Sequence, residues 1–310
     1  MNNHIVDGFE FTDMHYPYYN RDAIRIVEGR KIEEYQGYIR RNNIEKAEII
    51  VPDIAFLREC PSLKHLRITP SFNAPNGFDF SPLYDTPEII SLNCQNQYGN
   101  RGQYISKIDY DNINGLVDLF VSVNAGTFGY NKIETLKSLS VGGFSSDKKD
   151  ITDLFCSKDL DTLELIDCKI HSLTGIEKAP KMQCLYLSNN RSLRSIDQLY
   201  SVKDTLKALR IKNCSKIKDF SVLGKLQNLE LLELSGSNEL PGLGFLKTMN
   251  NLKTFTFSMN VVDGDITPCL PLSYVYSERN RNHYNVKDAD LPKGHYIHGN
   301  ESIEEWRRLE

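Results

Sequence analysis

Residues 219–234 run DFSVLGKLQNLELLEL. From Phe220 the apolar residues return every third position, at Leu223, Leu226 and Leu229, and the period then shortens to two between Leu232 and Leu234. Spacing in threes suits a tight helical turn, of the 3-10 kind or a short α-helix, with one apolar ridge. Spacing by two puts side chains on one face of a strand, because strand side chains alternate. Neither piece can bury its face alone, so the unit needs neighbours of its own kind to stack on.

Such neighbours are present along most of the chain. The pattern L-x-x-L-x-L starts at Leu63, Ile89, Leu116, Leu136, Leu160, Met182, Leu206, Leu229, Leu252 and Leu272, the last being degenerate at Ser277. The mean step is about 23 residues, a period that belongs to stacked repeats. The upstream triplets align as well: Leu243, Leu246, Met249 before Leu252, and Ile54, Leu57, Cys60 before Leu63. An acidic residue recurs ten positions before four starts, at Asp53, Asp79, Asp150 and Asp219. The repeat at Leu206 carries one extra residue upstream of its start. A chain of 310 residues is long for one compact core, which agrees with an elongated repeat.

The segments Asp79-Phe80-Ser81-Pro82-Leu83 and Asp219-Phe220-Ser221-Val222-Leu223 resemble the D-I-S-P-L coils of internalin-type leucine-rich repeats, and are similar to those of the leucine-rich regulatory subunit of protein phosphatase 1. The resemblance covers roughly residues 44 to 280. It implies an α/β leucine-rich-repeat solenoid with a parallel sheet on the concave face, short 3-10 or α turns on the convex face, and terminal caps. It also implies an Asn or Cys under each turn after the strand. Asn124, Cys168, Asn190, Cys214, Asn260 and Asn280 occupy that place, with Phe144 and Ser237 as departures. Cys168 and Cys214 are thereby structural rather than catalytic.

The expected organisation is an N-terminal cap over 1–43, the solenoid over 44–280, and a C-terminal cap with a short helix over 281–310. The aromatic residues Phe9, Phe11, Tyr16, Tyr18 and Tyr19 suit the first cap, since an open solenoid end is an apolar, unpaired edge. Ser302 and Glu305 have capping-box spacing for the terminal helix. Two long steps carry extra residues, Ser71 through Gly77 and Gln95 through Gln103, which read as surface loops suited to recognition.

Net charge is −4 and the isoelectric point about 6.0, which argues against a nucleic-acid partner. No apolar stretch approaches the length of a membrane span, and Met1 through Gly8 lack a basic region followed by an apolar run, so the expectation is a cytoplasmic protein. Seven scattered cysteines suggest buried free thiols rather than a disulfide framework. No nucleophile elbow, phosphate loop or H-E-x-x-H stands in the sequence, and His295 with His298 is a weak metal signal. No cofactor, metal or small-molecule substrate is expected, and an enzyme is not. The runner-up from that class would place a site near the long loops, with His65, Arg67 and Asp118.

Strand geometry selects the residues facing outward on the concave side: Arg67, Asn93, Phe120, Ser140, Glu164, Tyr186, Arg210, Glu233, Thr256 and Tyr276 between the strand leucines, with Asp118, Asp167, Lys212, Tyr274, Glu278 and Arg279 beside them. Aromatic residues and arginine are enriched at protein interfaces. The partner-binding set expected from this is Arg67, Asn93, Phe120, Glu164, Tyr186, Arg210, Lys212, Glu233, Tyr274 and Tyr276. The expected function is non-enzymatic recognition of a protein by a chain monomeric on its own, in the form of an inhibitor or toxin-immunity protein, or alternatively of an enzyme's regulatory subunit such as the phosphatase regulator.

Overall fold

The computed structural model describes residues 3–13, 22–69, 78–94 and 107–296. The two long loops at 71–77 and 95–103, Tyr16, Tyr18, Tyr19, His298 and the terminal helix expected near 302–308 lie outside these residues. The chain divides into two units, Met1–Val141 and Gly142–Glu310.

The first unit opens with a hairpin of β1 (Asn3–Val6) and β2 (Phe9–Asp13), paired antiparallel. Its two-residue turn, Asp7-Gly8, has positive φ at both positions, the geometry that matches strand twist and that Asp-Gly adopts readily. β2 pairs antiparallel with β3 (Asp22–Val27), after which α1 (Ile32–Asn42) crosses over to β4 (Lys46–Ile50), parallel to β3. The helix buries Tyr35, Tyr38 and Ile39, which share one face, and carries Glu33 and Glu34 in its first turn and Arg40 and Arg41 in its last, each sign favourable to the helix dipole. Phe9 stacks on Tyr38 at 4.1 Å between ring centroids, and Arg30 lies 4.2 Å over the Phe9 ring. Repeating strands follow: β5 (His65–Ile68), β6 (Ser91–Cys94), β7 (Ile108–Asp109), β8 (Asp118–Ser122), β9 (Thr127–Phe128) and β10 (Ser138–Gly142). The sheet order is β1-β2-β3-β4-β5-β6-β8-β10, and β7 pairs with β9 apart from it.

The second unit contains β11 (Thr162–Ile166), β12 (Cys184–Ser188), β13 (Ala208–Lys212), β14 (Leu231–Ser235), β15 (Glu239–Leu240), β16 (Thr254–Phe257), β17 (Asn260–Val261) and β18 (Tyr274–Ser277). β11-β12-β13-β14-β16-β18 form a parallel ladder, with β15 and β17 paired separately. Register aligns Leu163, Leu185, Leu209, Leu232, Phe255 and Val275, and two residues on Leu165, Leu187, Ile211, Leu234, Phe257 and Ser277. All twelve are buried. The triplets upstream form 3-10 turns, among them Asp197–Val202, Ser221–Lys225 and Gly244–Thr248, whose apolar ridges pack on the strand layer. The expected repeat of a short turn followed by a strand in a parallel sheet is therefore the observed one.

The recurrent acidic residue starts the turn. Asp53 Oδ1 accepts from the Ala55 N–H at 2.7 Å, Asp79 from Ser81 at 2.9 Å, Asp150 from Thr152 at 3.0 Å and Asp219 from Ser221 at 2.7 Å. Each satisfies a backbone donor that the short turn leaves open. After the strand, the chain leaves the ladder through a left-handed residue, Asp167, Asn189, Asn213 and Gly236 in successive coils, residue types that tolerate positive φ. Asn190 then sits fully buried, accepting from the Cys168 N–H at 2.8 Å and donating to the Leu165 carbonyl at 2.8 Å, so that it ties one coil to the next. Cys214 is buried in the same place, its thiol toward the Lys212 carbonyl at 3.5 Å.

Three of the expected positions depart. In the coil of β14 the role falls to Asn238 rather than to position 237, with Asn238 donating to the carbonyls of Cys214 and Ile217. Asn124 bonds locally to Gly126, and Asn280 is exposed and accepts from Asp288.

The outer edge of β18 is covered by the chain itself. The Val275 N–H donates to the Pro292 carbonyl at 2.8 Å, and the Gly294 N–H to the Ser273 carbonyl at 3.0 Å. An edge paired in this way is closed to another chain.

Leu232→Ala is expected to cost about 2 to 5 kcal/mol in urea unfolding, and Asn190→Ala about 1 to 3 kcal/mol through the buried groups it strands. Hydrogen bonding from Ser221 lowers the Asp219 pKa, and the Thr267 hydroxyl, Asn285 and the Thr267 N–H lower that of Asp265. Their contribution to stability is present above the ordinary carboxylate pKa and lost as pH falls through the folded value. Carbon-detected titration should place both midpoints below that of an ordinary aspartate.

Candidate functional site

The sheet face opposite the core carries the residues that alternate with the buried leucines. In the first unit one row runs Arg25, Glu48, Arg67, Asn93 and Phe120 across β3, β4, β5, β6 and β8. Glu48 is buried and holds both arginines, Arg25 Nε at 2.9 Å and Arg67 Nη1 at 3.6 Å, while Arg25 also reaches Glu10 at 3.1 Å. Partial burial works to lower the Arg25 pKa, but Glu10 and Glu48 outweigh it and raise the value. Arg67 is thus neutralised by its own sheet. Asn93, expected to face a partner, is only 5% exposed, and Ser140 and Asp118 are buried as well; Phe120 is half-buried.

In the second unit the corresponding row is Glu164, Tyr186, Arg210, Glu233, Thr256 and Tyr276. Tyr186 is 5% exposed, which corrects the expectation that it projects freely. The physical reason lies in the neighbouring row on the same face. Cys184, Ala208 and Leu231 are apolar and form a buried cluster with Tyr186. The Arg210 guanidinium lies 5.1 Å over the Tyr186 ring and pairs with Glu233 at 3.3 Å. Glu164, Arg210, Glu233 and Tyr274 are half-buried, whereas Lys212 is exposed and Tyr276 is 44% exposed. Asp167, Glu278 and Arg279 are exposed too, Asp167 because it occupies a left-handed turn position.

One contributor was not legible in the repeat. Past Gly294 the chain turns onto this face, and the Tyr296 ring stands 5.0 Å from that of Tyr274. Burial raises the Tyr296 pKa; the positive charge of Arg210 opposes the shift, and the charge of Glu233 adds to it. No periodicity marks residues 291–296, so repeat spacing could not assign them a place.

The residues of the alternative site, His65, Arg67 and Asp118, lie on one sheet face. His65 and Asp118 are in register with Ser91 between them, two strands apart, and Arg67 is engaged with Glu48. All seven cysteines are free, six of them buried and Cys156 exposed. Burial pushes the Cys168 thiol up to about 12 and that of Cys214 up to about 11, the opposite of what a nucleophilic thiol requires. Among the described residues no group of three His, Cys, Asp or Glu side chains could hold a metal, and no helix is long and apolar enough to cross a membrane.

Tyr186→Ala is therefore expected to destabilise the fold by about 3 kcal/mol, by analogy with other buried aromatic truncations, whereas Tyr276→Ala should change stability by under about 0.5 kcal/mol. Thermal and urea unfolding of the two variants side by side checks the assignment.

No protein-family model matches the chain, and no curated protein does. Among solved structures, an internalin of Listeria monocytogenes str. 4b F2365, InlF, matches over 82% of this chain and 73% of its own, at a TM-score of 0.52 and 18% identity. The functional domain of InlJ from Listeria monocytogenes matches more loosely, over 69% of this chain and 43% of its own, at a TM-score of 0.45 and 15% identity. At these identities the likeness concerns architecture: the chain has the leucine-rich-repeat fold.

Proposed function

We propose that the chain is a protein-recognition module that binds its partner on the open sheet face of the second unit. The observation that carries this reading is the row Arg210, Glu233, Thr256 and Tyr276, held in register by the ladder beside buried Tyr186 and flanked by exposed Lys212. Tyrosine and arginine are among the residue types that concentrate binding energy, and a sheet presents them already ordered, so little conformational entropy is lost on association. Acidic and basic groups alternate along the row, a pattern suited to a specific protein surface rather than to a polyanion. In this reading the module acts by covering a functional surface of its partner, as an inhibitor or immunity protein does, and works as a monomer in the cytoplasm, where six buried thiols stay reduced.

The test is capture from native lysate with wild type and a Lys212→Ala, Tyr276→Ala double variant, after thermal unfolding has shown the two equally stable. A partner retained by wild type and lost from the variant is the expected result. Equal capture by both would sink the open-face reading.

A further inference from the structure

The segment that covers the edge of β18 does more than pair with it. Pro292, Lys293 and Gly294 suffice to close the edge, through the two backbone hydrogen bonds to β18 and its flank and through the Lys293 ammonium, which donates to the Val275 carbonyl at 2.8 Å and pairs with Asp288 at 2.8 Å. Lys293 also lies 5.9 Å over the Tyr274 ring and 5.4 Å over that of Tyr276. The chain then turns inward instead of leaving the sheet. Tyr296 meets Tyr274 of β18 edge-on, within electrostatic reach of Arg210 of β13 and Glu233 of β14. Between β13 and β18 lie β14 and β16, so the groups that act on this side chain belong to the face and not to its rim alone. Edge protection alone does not call for that reach.

The receiving groups are arranged for an aromatic hydroxyl. Tyr274 supplies a ring for edge-to-face contact. Arg210 is fixed from two other directions, by the Tyr186 ring and by Glu233, and keeps a fork of N–H donors for an incoming oxygen. The occupant is a single side chain presented beside the edge pairing of Pro292 and Gly294, so it can be exchanged for a partner's side chain offered from an ordered surface.

We infer that Tyr274, Arg210 and Glu233 form a seat for a tyrosine side chain of the protein partner, and that the free chain fills this seat with its own Tyr296. The inference rests on the proposed use of this face and names the chemistry the partner brings to it. Binding then requires that the partner's tyrosine displace Tyr296, so the internal contact sets the apparent affinity through the fraction of molecules in which the seat is open.

The experiment uses the full chain and a fluorescein-labelled, C-terminally amidated peptide of residues 288–296, DADLPKGHY, followed by anisotropy. Tyr296→Ala should bind the peptide about tenfold or more tightly than wild type does, because its own occupant is gone. Gly294→Val should act in the same direction without touching the seat, since a Cβ at Gly294 would stand 2.6 Å from the Ser273 carbonyl oxygen and lift the segment from β18. Adding Arg210→Ala to Tyr296→Ala should abolish the gain, and a peptide carrying Tyr296→Phe should bind more weakly. Equal binding by wild type and Tyr296→Ala, or no binding by either, would overturn the seat. Peptide binding gained by Tyr296→Ala with unchanged capture of the protein partner would overturn the partner's use of it, whereas loss of capture in the Lys212→Ala, Tyr276→Ala variant tests the open face itself.

Discussion

Leu163, Leu185, Leu209, Leu232, Phe255 and Val275 lie side by side across the second unit, and everything else in that unit depends on their stacking. A single coil has one strand of a few residues and one short turn, too little surface to exclude water from either. Laid against its neighbours, the same coil loses almost all exposure of its apolar side chains. The sequence spends its variety at the places this constraint leaves free. An aspartate opens the turn because a backbone N–H there needs an acceptor, an Asn, Asp or Gly leaves the strand because φ is positive, and a buried Asn190 links coils because carbonyls would otherwise be stranded.

The same ladder that buries one face sets out the other. Side chains opposite the core cannot choose their neighbours, since register fixes them one strand apart, so ring, guanidinium and carboxylate recur as a row: Tyr186, Arg210, Glu233. In the first unit the row Arg25, Glu48, Arg67 spends its charges internally on a buried carboxylate. In the second, Arg210 is placed between an aromatic ring and a carboxylate, and its charge still acts on Tyr296. That difference is why recognition is assigned to the second unit.

Much of this was legible in the amino-acid sequence. Period three followed by period two located the turns and strands from Leu63 onward, and alternation alone told which side of each strand Arg67, Tyr186 or Glu233 occupies. Direction is not exposure, however. Tyr186 points away from the core and is buried all the same, because Cys184, Ala208 and Leu231 make an apolar row beside it and Arg210 covers its ring. Those three residues are apolar at outward positions, a signal present in the sequence whose weight depends on strand register. β3 joins the ladder ahead of the first repeat start because Ile24 and Ile26 alternate inward without the upstream triplet that marks later coils. The path of Tyr296 depends on tertiary contacts with three strands and leaves no local pattern at all.

The central claim is that a protein partner sits on the open face of the second unit. The most direct measurement is site-specific photo-crosslinking in native lysate, with p-benzoylphenylalanine placed at Thr256, in the middle of the row, and in a second variant at Thr267, in a 3-10 turn away from it. The account predicts a discrete protein adduct from position 256 and none from position 267. An adduct from position 267 with none from position 256 would contradict it.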